Sequence, residues 1–296
     1  MTPVPARGDK RRDLLTVATG YLLATGAALL CVLLLDIHPL LEVLAADALA
    51  TLVIFGCSLR YRNSSFYDPY WSVAPPLIAF WFVALDGTAD TLRIVLVLAV
   101  VLLWAVRLTA NWAWGWHGMG QQDWRYQRLE ASAGVLWWPL SLVGIHLFPT
   151  LVVYLGCLPL YPALVVGSRP VGLPDAVAFT LGLGAVALEF AADRQLHRFR
   201  ALRSSRTELL TSGVWGWCRH PNYLGEIGFW ISLFGFGWAA TGTMYPWTWL
   251  GPAAMLALFV GVSIPMIERK LEADKPDYPD YRSRTFALLP VPRRPA

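Results

Sequence analysis

The densest group of chemically capable side chains lies in residues 212–226. It contains, in order, Arg219, His220, Pro221, Asn222, Tyr223 and Glu226. A proline suits the first turn of a helix, because its missing N–H would have no partner there. Arg219 and His220 would then lie beside a helix N-terminus, where free N–H groups favour an anion. The pattern predicts a site for a phosphate-bearing ligand. A boundary arginine with a capping histidine is the structural alternative.

A second group follows helical spacing. Glu189, Asp193 and His197 recur every four residues, so on a helix they share one face. Acidic side chains in an apolar helix are costly unless they face a polar cavity or a cation. They are therefore candidate acceptors for a ribose or amide group of a cofactor. Ion pairs that anchor the helix end at the lipid headgroups are the alternative.

The stretch 107–126 combines cations with tryptophans. Arg107 and Asn111 form an i,i+4 pair and are candidate cofactor ligands, and Arg125 is a candidate anion ligand. Four tryptophans within 13 residues are typical of an interfacial aromatic belt. We therefore assign Trp114 and Trp116 to that belt rather than to the site.

Two further stretches contain isolated candidates. Asp68 precedes a proline ahead of an apolar run, so it is predicted to be either a buried carboxyl group or a helix N-cap. In the polar and aromatic tail, Tyr281 and Arg284 are candidates to cover the adenine end of a ligand. A plain surface tail is the alternative.

Familiar nucleotide, protease and metal motifs are absent from the sequence. It contains no GxGxxG after a strand, no Walker A motif, no HExxH and no GxSxG elbow. The cysteines are widely spaced and lie near no histidine cluster suited to zinc, so no metal site is predicted. A nucleotide would have to be held by helix ends and basic loops.

The elements that position these residues are predicted to be membrane helices. Hydrophobic residues make up 56% of the chain and charged residues 15%, whereas soluble proteins carry about 25% charged residues. The apolar residues form blocks long enough to cross a bilayer. We predict an all-α, polytopic membrane helix bundle with spans near 14–35, 45–59, 72–85, 91–110, 134–156, 174–192, 222–240 and 247–267. Seven spans is the alternative, because the second and third are short.

The basic residues predict the orientation of these spans. All 24 lysines and arginines except Arg93 and Arg169 fall on one side of the proposed spans. Lysine and arginine collect on the cytoplasmic side, so both termini are predicted to be cytoplasmic, in a bacterial inner membrane or its equivalent. Anionic lipids account for the basic excess, and nucleic-acid binding is not predicted. The apolar run after residue 12 is too long for a signal-peptide core, so we expect a retained first helix.

No linker or repeat divides the sequence, so we predict one membrane domain over residues 1–296. It would comprise a basic N-terminal segment, 1–12, a transmembrane bundle, 13–267, and a cytoplasmic tail, 268–296. The expected partners are the lipid bilayer and a hydrophobic small molecule.

The octapeptide at residues 219–226, RHPNYLGE, resembles the steroid 5α-reductase superfamily, in particular its bacterial DUF1295 branch. Residues 123–126 and 281–290 also resemble that branch, and the likeness runs from about residue 50 to the end. The resemblance implies an NADPH-dependent reductase of a carbon–carbon double bond conjugated to a carbonyl, in a steroid-like or isoprenoid-like lipid. It also implies cofactor-binding positions at Glu189, Asp193 and Asn222, although the family has an amide at the first of these.

The same resemblance implies how the substrate carbonyl is held. Family members use a carboxyl group before a proline, paired with a tyrosine, and Asp68 matches the carboxyl group. Trp104 stands at the place of the tyrosine. Tyr67 and Tyr70 are therefore the candidate replacements.

Two rival functions remain open. Isoprenylcysteine carboxyl methyltransferases, which use S-adenosylmethionine, share an RHPxYxG-like segment and a similar tail. The cations Arg125, Arg206 and Arg219 favour a cofactor that carries phosphates, and thus NADPH. A transporter or membrane scaffold is the non-enzymatic alternative, but the polar residues cluster at inner helix ends and form no continuous path.

Overall fold

The computed structural model describes residues 9–291. Parts of the predicted N-terminal segment and tail, residues 1–8 and 292–296, lie outside the described residues. Residues 9–291 form helices and connecting segments without a β-strand, which confirms the predicted all-α class. Six helical stretches in this range are long and apolar enough to cross a membrane. The chain is thus a multi-pass membrane protein.

Twelve α-helices follow one another in the described part of the chain. They are α1 (Lys10–Leu34), α2 (Pro39–Tyr61), α3 (Tyr70–Ala84), α4 (Thr91–Gly115), α5 (Trp124–Ala133), α6 (Trp137–Ser141), α7 (Phe148–Cys157), α8 (Leu173–Leu202), α9 (Pro221–Thr241), α10 (Leu250–Leu258), α11 (Ile264–Asp274) and α12 (Tyr278–Arg284). Short 3₁₀ turns cover Ser64–Tyr67, Gly134–Leu136, Gly213–Gly216 and Pro246–Trp249, and wider π turns cover Leu142–Leu147, Pro162–Val166 and Phe259–Ser263.

Each of the eight predicted spans overlaps a helix. The second is longer than predicted, because α2 has 23 residues and begins at Pro39, so that it includes the acidic residue Glu42 in its first turn. The third stays short, since α3 has only 15 residues. These 15 residues, and the 21 of α9, are not among the six membrane-crossing stretches. The side on which the termini lie, and the type of membrane, stay predictions.

The chain divides into two compact units, so the predicted single domain stays a prediction. Among the described residues, 9–85 and 108–157 form the first unit, and 86–107 and 158–291 form the second. Helix α4 contributes to both units.

Within the first unit, buried polar bonds fix the connection between α2 and α3. The Asn63 side chain donates to the carbonyl oxygen of Met119 at 2.7 Å. The hydroxyl of Tyr67 is 2.8 Å from that of Thr150, which is 2.7 Å from the hydroxyl of Thr51. Because buried polar groups are costly without partners, these bonds define one conformation for the connection. They thereby position the carboxyl group that follows, Asp68.

Within the second unit, α8 and α9 pack closely through small residues. A Cβ atom added at Gly225 would lie 2.5 Å from Cγ of Glu189 and 2.8 Å from the carbonyl oxygen of Ala185. Only glycine allows this approach, as is common where membrane helices meet. The glycine therefore brings Glu189 directly against α9. At the other end of α8, Asp175 forms a buried ion pair with Arg93 of α4, with an Nε–Oδ1 distance of 2.7 Å.

Candidate functional site

The second unit contains a buried cluster of one arginine and three carboxyl groups. Arg107 of α4 donates through Nη2 to Glu189 and through Nη1 to Asp193 of α8, the latter at 2.6 Å. Its Nη2 is also 3.9 Å from Oε2 of Glu226 on α9. The side chains of Arg107 and Glu189 are 9% and 2% exposed. The predicted shared face of Glu189 and Asp193 is therefore present, and both acids bond to the predicted cation.

Two indole groups hold the third carboxyl group of this cluster. Trp104 and Trp230 donate through Nε1 to Oε2 and Oε1 of Glu226, at 3.0 and 3.1 Å. The ring of Trp104 stacks on Phe229, with the centroids 4.2 Å apart. The residue at the place of the family tyrosine is thus an N–H donor that fixes Glu226.

Three buried atoms of the predicted cofactor ligands have no hydrogen-bond partner among the described residues: Nε of Arg107, Oε1 of Glu189 and Oδ1 of Asn222. Unpaired buried polar atoms cost about 1–3 kcal/mol each, so a ligand group that pairs with any of these atoms would be stabilised there. One donor and two acceptors match a carboxamide or a pair of hydroxyl groups.

The charge of the cluster limits which part of a ligand it can hold. Glu189, Asp193 and Glu226 together bring three carboxyl groups to one guanidinium, that of Arg107. Unless protons offset this excess, the cluster repels phosphate and attracts neutral or cationic groups. It suits an amide, a ribose or an ammonium group, and it does not suit a phosphate.

Arg219 and His220 have partners elsewhere in the second unit. Both bond to Oε1 of Glu268 on α11, at 2.8 Å from Arg219 Nε and 3.0 Å from His220 Nε2. The Arg219 side chain also donates to the carbonyl oxygen of Thr285, and its backbone N–H donates to the carbonyl oxygen of Phe286 at 2.9 Å. These bonds join the start of α9 to α11 and the tail. Phosphate binding by this pair stays a prediction.

Three other predicted cofactor ligands lie close to this junction or in the tail. Tyr223 stacks between His220 and Phe259, with ring centroids 5.3 and 4.7 Å away. Tyr281 is 6% exposed, and its hydroxyl donates to the carbonyl oxygen of Trp215 at 2.5 Å. Arg284 is exposed and pairs with Asp280 one helical turn earlier. The tail is therefore attached to the protein by Tyr281, whereas Arg284 faces solvent.

The remaining predicted cofactor ligands differ in surroundings. Arg206 is an exposed residue in the segment after α8, in the second unit. Arg125 belongs to the first unit, where Nε and Nη2 bond to the two carboxylate oxygens of Asp123 at 2.8 and 3.1 Å. Asn111, in the last turns of α4, also belongs to the first unit.

The predicted catalytic carboxyl group, Asp68, lies in the first unit against a tyrosine of α5. The Tyr126 hydroxyl donates to Oδ1 of Asp68 at 3.0 Å. Burial and the nearby Asp123 raise the pKa of Asp68 to about 7, although Arg125 and the bond from Tyr126 act to lower it. Pro69 occupies the N-cap position of α3 without a side-chain bond. Asp68 is thus not the N-cap of α3, and its side chain is half-buried.

The two tyrosines predicted to assist Asp68 have other partners. Tyr67 bonds to Thr150 at 2.8 Å, and the Tyr70 hydroxyl donates to Oδ1 of Asp47 at 2.6 Å. The tyrosine that bonds to Asp68 is Tyr126, which our sequence interpretation did not select. It stands in the stretch 123–126 that resembles the family, and this match was the available signal.

Comparisons with known proteins identify the family. The helices and buried ion pairs define a multi-pass membrane protein with polar sites inside it. Residues 54–285 match DUF1295, described as a protein family of unknown function, and the chain belongs to this family. The family resemblance in the sequence is thereby confirmed.

One protein that is similar in sequence to this chain comes from fission yeast. The chain is 29% identical over 256 residues to the Schizosaccharomyces pombe "Uncharacterized protein C594.04c", over 78% of this chain and 72% of the yeast protein. No solved structure matches the chain.

Proposed function

We propose that the protein is a membrane-embedded NADPH-dependent reductase. Its substrate would be a steroid-like or isoprenoid-like lipid in which a carbon–carbon double bond is conjugated to a carbonyl group. Membership of DUF1295 and the likeness of residues 219–226 to steroid 5α-reductases support this class. The observation that carries the proposal is the hydrogen-bonded pair of Asp68 and Tyr126.

This pair has the chemistry that such a reduction requires. When hydride arrives at the β-carbon, negative charge develops on the carbonyl oxygen, and a protonated acid beside that oxygen stabilises it. With a pKa of about 7, Asp68 keeps a proton on a substantial fraction of molecules at neutral pH. Tyr126 donates to Oδ1, so we assign the proton that Asp68 would donate to the substrate to Oδ2. Asp68 is the proposed catalytic acid, and Tyr126 orients it.

The second unit offers the groups that fit the nicotinamide end of the cofactor. The unpaired acceptors of Asn222 and Glu189 match amide or hydroxyl donors, and the unpaired Nε of Arg107 matches a carbonyl oxygen. When bound, NADPH supplies the hydride. Asp193 and Glu226 orient Arg107 for this contact.

The phosphates need cations outside the acidic cluster. Arg219 is buried and neutralised by Glu268, so we propose the exposed side chains of Arg206 and Arg284 as phosphate ligands. Arg284 would exchange its solvent-exposed partner Asp280 for the phosphate. Under this proposal Arg219 and His220 act as positioning residues. They hold the start of α9, where Asn222 lies, against α11.

A direct test is enone-dependent oxidation of NADPH by the purified full-length protein in lipid nanodiscs, with cholest-4-en-3-one as substrate. We expect turnover to fall about 100-fold in Asp68→Asn, since removal of a charge-stabilising group costs about 10²–10³-fold. Tyr126→Phe should lose about tenfold, because the acid keeps its proton but loses its orientation. Asp86→Asn, an exposed acid in the second unit, is the control and should be unchanged. Full activity in Asp68→Asn would eliminate the assigned role.

One observation favours a second function, methyl transfer from S-adenosylmethionine. That cofactor carries a sulfonium and an ammonium group, and the cluster around Arg107 has more carboxyl groups than cations. S-adenosylmethionine has no phosphates, so its binding would not require a free arginine, and Arg219 could stay paired with Glu268. A methyltransferase gives no role to an acid held by a tyrosine, however, and for this reason we rank it second.

A further inference from the structure

A buried lysine holds the turn that follows α8, residues 203–209, which we call the 203–209 turn. The ammonium group of Lys275 donates to the carbonyl oxygen of Glu208 at 2.7 Å and to the carbonyl oxygen of Arg206. Lys275 is only 8% exposed and follows α11 directly, so these bonds join the turn to the end of that helix. Lysine is seldom buried unless its charge has partners. The two bonds therefore fix the backbone of the second half of the turn.

A carboxyl group fixes the first half of the turn. Oε1 of Glu208 accepts from the backbone N–H of Ser204 at 2.9 Å and of Ser205 at 2.7 Å. The Ser205 hydroxyl accepts from the backbone N–H of Thr207 at 3.1 Å. Backbone groups that all have partners favour one conformation. The turn is thus ordered, although its residues 204–207 are exposed.

The positive charges at this turn are not balanced. Glu208 is the one acidic residue of the turn, and its Oε1 is bonded to backbone N–H groups. Neither Arg203 nor Arg206 forms an ion pair with another described residue. Burial lowers the pKa of Lys275 and the nearby Arg203 lowers it further, although two carboxyl groups act to raise it. An anion bound by the arginines would relieve the repulsion between these cations.

The position of the turn along α8 relates it to the acidic cluster around Arg107. Asp193 of that cluster lies within α8, and Arg203 is the C-cap of the same helix. Ten residues of helix separate the two, which is about 15 Å. If the cluster holds the nicotinamide end of a dinucleotide, as proposed above, the turn can be reached only by the opposite, adenosine end of the same molecule.

We propose that Lys275 is a positioning residue, which holds the 203–209 turn in the conformation in which Arg203 and Arg206 bind the phosphate on the adenosine ribose. This inference rests on the proposed function. A phosphate group accepts charge-assisted hydrogen bonds from two guanidinium groups. Lys275 donates to backbone carbonyl groups instead, so it acts through the two arginines. NADH lacks this phosphate, and the arrangement therefore selects NADPH.

The test compares the binding of NADPH and NADH without a lipid substrate. Isothermal titration calorimetry is carried out on the purified full-length protein in nanodiscs of uncharged lipid. We expect wild type to bind NADPH at least tenfold more tightly than NADH. Lys275→Met keeps the apolar stem but removes the ammonium group, so its affinity for NADPH should fall about tenfold while its affinity for NADH stays unchanged. Unchanged NADPH binding in Lys275→Met would overturn the inference.

Two further substitutions separate positioning from folding. Lys275→Arg keeps a cationic donor for the two carbonyl groups and should retain the preference for NADPH. Lys270→Met is the matched control on α11, since Lys270 is exposed and pairs with Asp274, and it should change neither affinity. Should Lys275→Met not fold, Lys275→Gln gives the same comparison, because its side chain is too short to reach both carbonyl groups. Equal losses of NADPH and NADH affinity would mean that Lys275 only stabilises the fold, and would contradict the proposal.

A double-mutant cycle tests whether Lys275 acts through Arg206. Arg206→Gln alone should lower the affinity for NADPH about tenfold and leave NADH unchanged. Adding Lys275→Met to Arg206→Gln should lower it by only about threefold more, because residues that act together have non-additive effects. Fully additive losses would show that the lysine acts independently of Arg206.

The wild-type protein separates failure of this inference from failure of the proposed function. Tight binding of NADPH without any preference over NADH would overturn the inference and leave the reductase proposal standing. Failure to bind either cofactor would overturn both.

Discussion

The side chain of Asp68 acquires its proposed chemistry from its neighbours rather than from its own type. Burial raises its pKa from the ordinary value of 3.8 to about 7, and Asp123 adds to the rise. The Tyr126 hydroxyl fixes one of its oxygens. An aspartate at the surface would be ionised at neutral pH and unable to donate a proton.

The raised pKa of Asp68 predicts how stability depends on pH. The folded state holds this proton up to about pH 7, whereas the unfolded chain releases it near 3.8. Ionisation therefore penalises the folded state increasingly as pH rises from about 4 to 7, and the penalty is complete above 7. We expect the Tm of Asp68→Asn, which cannot ionise, to exceed the Tm of wild type by an amount that increases between pH 5 and pH 8. Differential scanning fluorimetry across this range measures the difference in Tm.

Asp86→Asn is the control for this pH series. Asp86 is exposed, so its removal should leave the difference in Tm from wild type constant with pH. A constant difference for Asp68→Asn as well would mean that the carboxyl group has no raised pKa in the folded protein.

At the scale of single residues, local spacing predicted part of the candidate site. The four-residue repeat correctly placed Glu189 and Asp193 on one face, where both bond to Arg107. It could not reveal Glu268, because this partner of His220 is 48 residues further along the chain. The identity of such partners depends on which helices pack together, and that information is not local.

The acidic cluster around Arg107 depends on the packing of α8 against α9. Gly225 allows the two helices to approach, and Ala185 and Glu189 fill the contact from the side of α8. Any larger side chain would push Glu189 away from Arg107 or separate the helices.

Gly225→Ala should therefore destabilise the protein. The added Cβ would lie 2.5 Å from Glu189 Cγ and 2.8 Å from a backbone oxygen, so the backbone has to shift. Overpacking of this kind costs about 1–3 kcal/mol and should lower Tm by several degrees. Gly184→Ala is the matched control on α8, where an added Cβ has nothing within 4 Å and alanine favours the helix. Equal Tm values for the two variants would contradict the proposed close contact.

At the scale of helices, apolar runs predicted which segments are helical but not where each helix begins. Helix α2 begins at Pro39, six residues before the predicted span at 45, and its first turn includes the buried acidic residue Glu42. The tail was predicted either to cover a ligand or to be a plain surface tail, and Arg219 and Tyr281 attach it to the rest of the second unit. Both side chains donate to backbone carbonyl oxygens, which every residue has, so no sequence pattern predicts this attachment.

For the whole molecule, composition predicted the membrane class, and the family follows from the match over residues 54–285. The cofactor remains a proposal, since the cations selected from the sequence divide among different roles. Arg107 bonds to acids, Arg219 is neutralised by Glu268, and Arg125 pairs with Asp123. Charge counting along the sequence could not anticipate the partners of Arg107 and Arg219, because their carboxyl groups lie on other helices, whereas Asp123 stands only two residues before Arg125.

The most direct test of the central claim compares the binding of NADPH and S-adenosylmethionine to the purified full-length protein. Ligands that bind only the folded state raise Tm in a concentration-dependent manner. We predict that NADPH raises Tm, that S-adenosylmethionine does not, and that Asn222→Ala weakens the NADPH effect at least tenfold in concentration. Gln121→Ala, which removes an exposed amide, should behave as wild type. Stabilisation by S-adenosylmethionine and none by NADPH would contradict the reductase proposal.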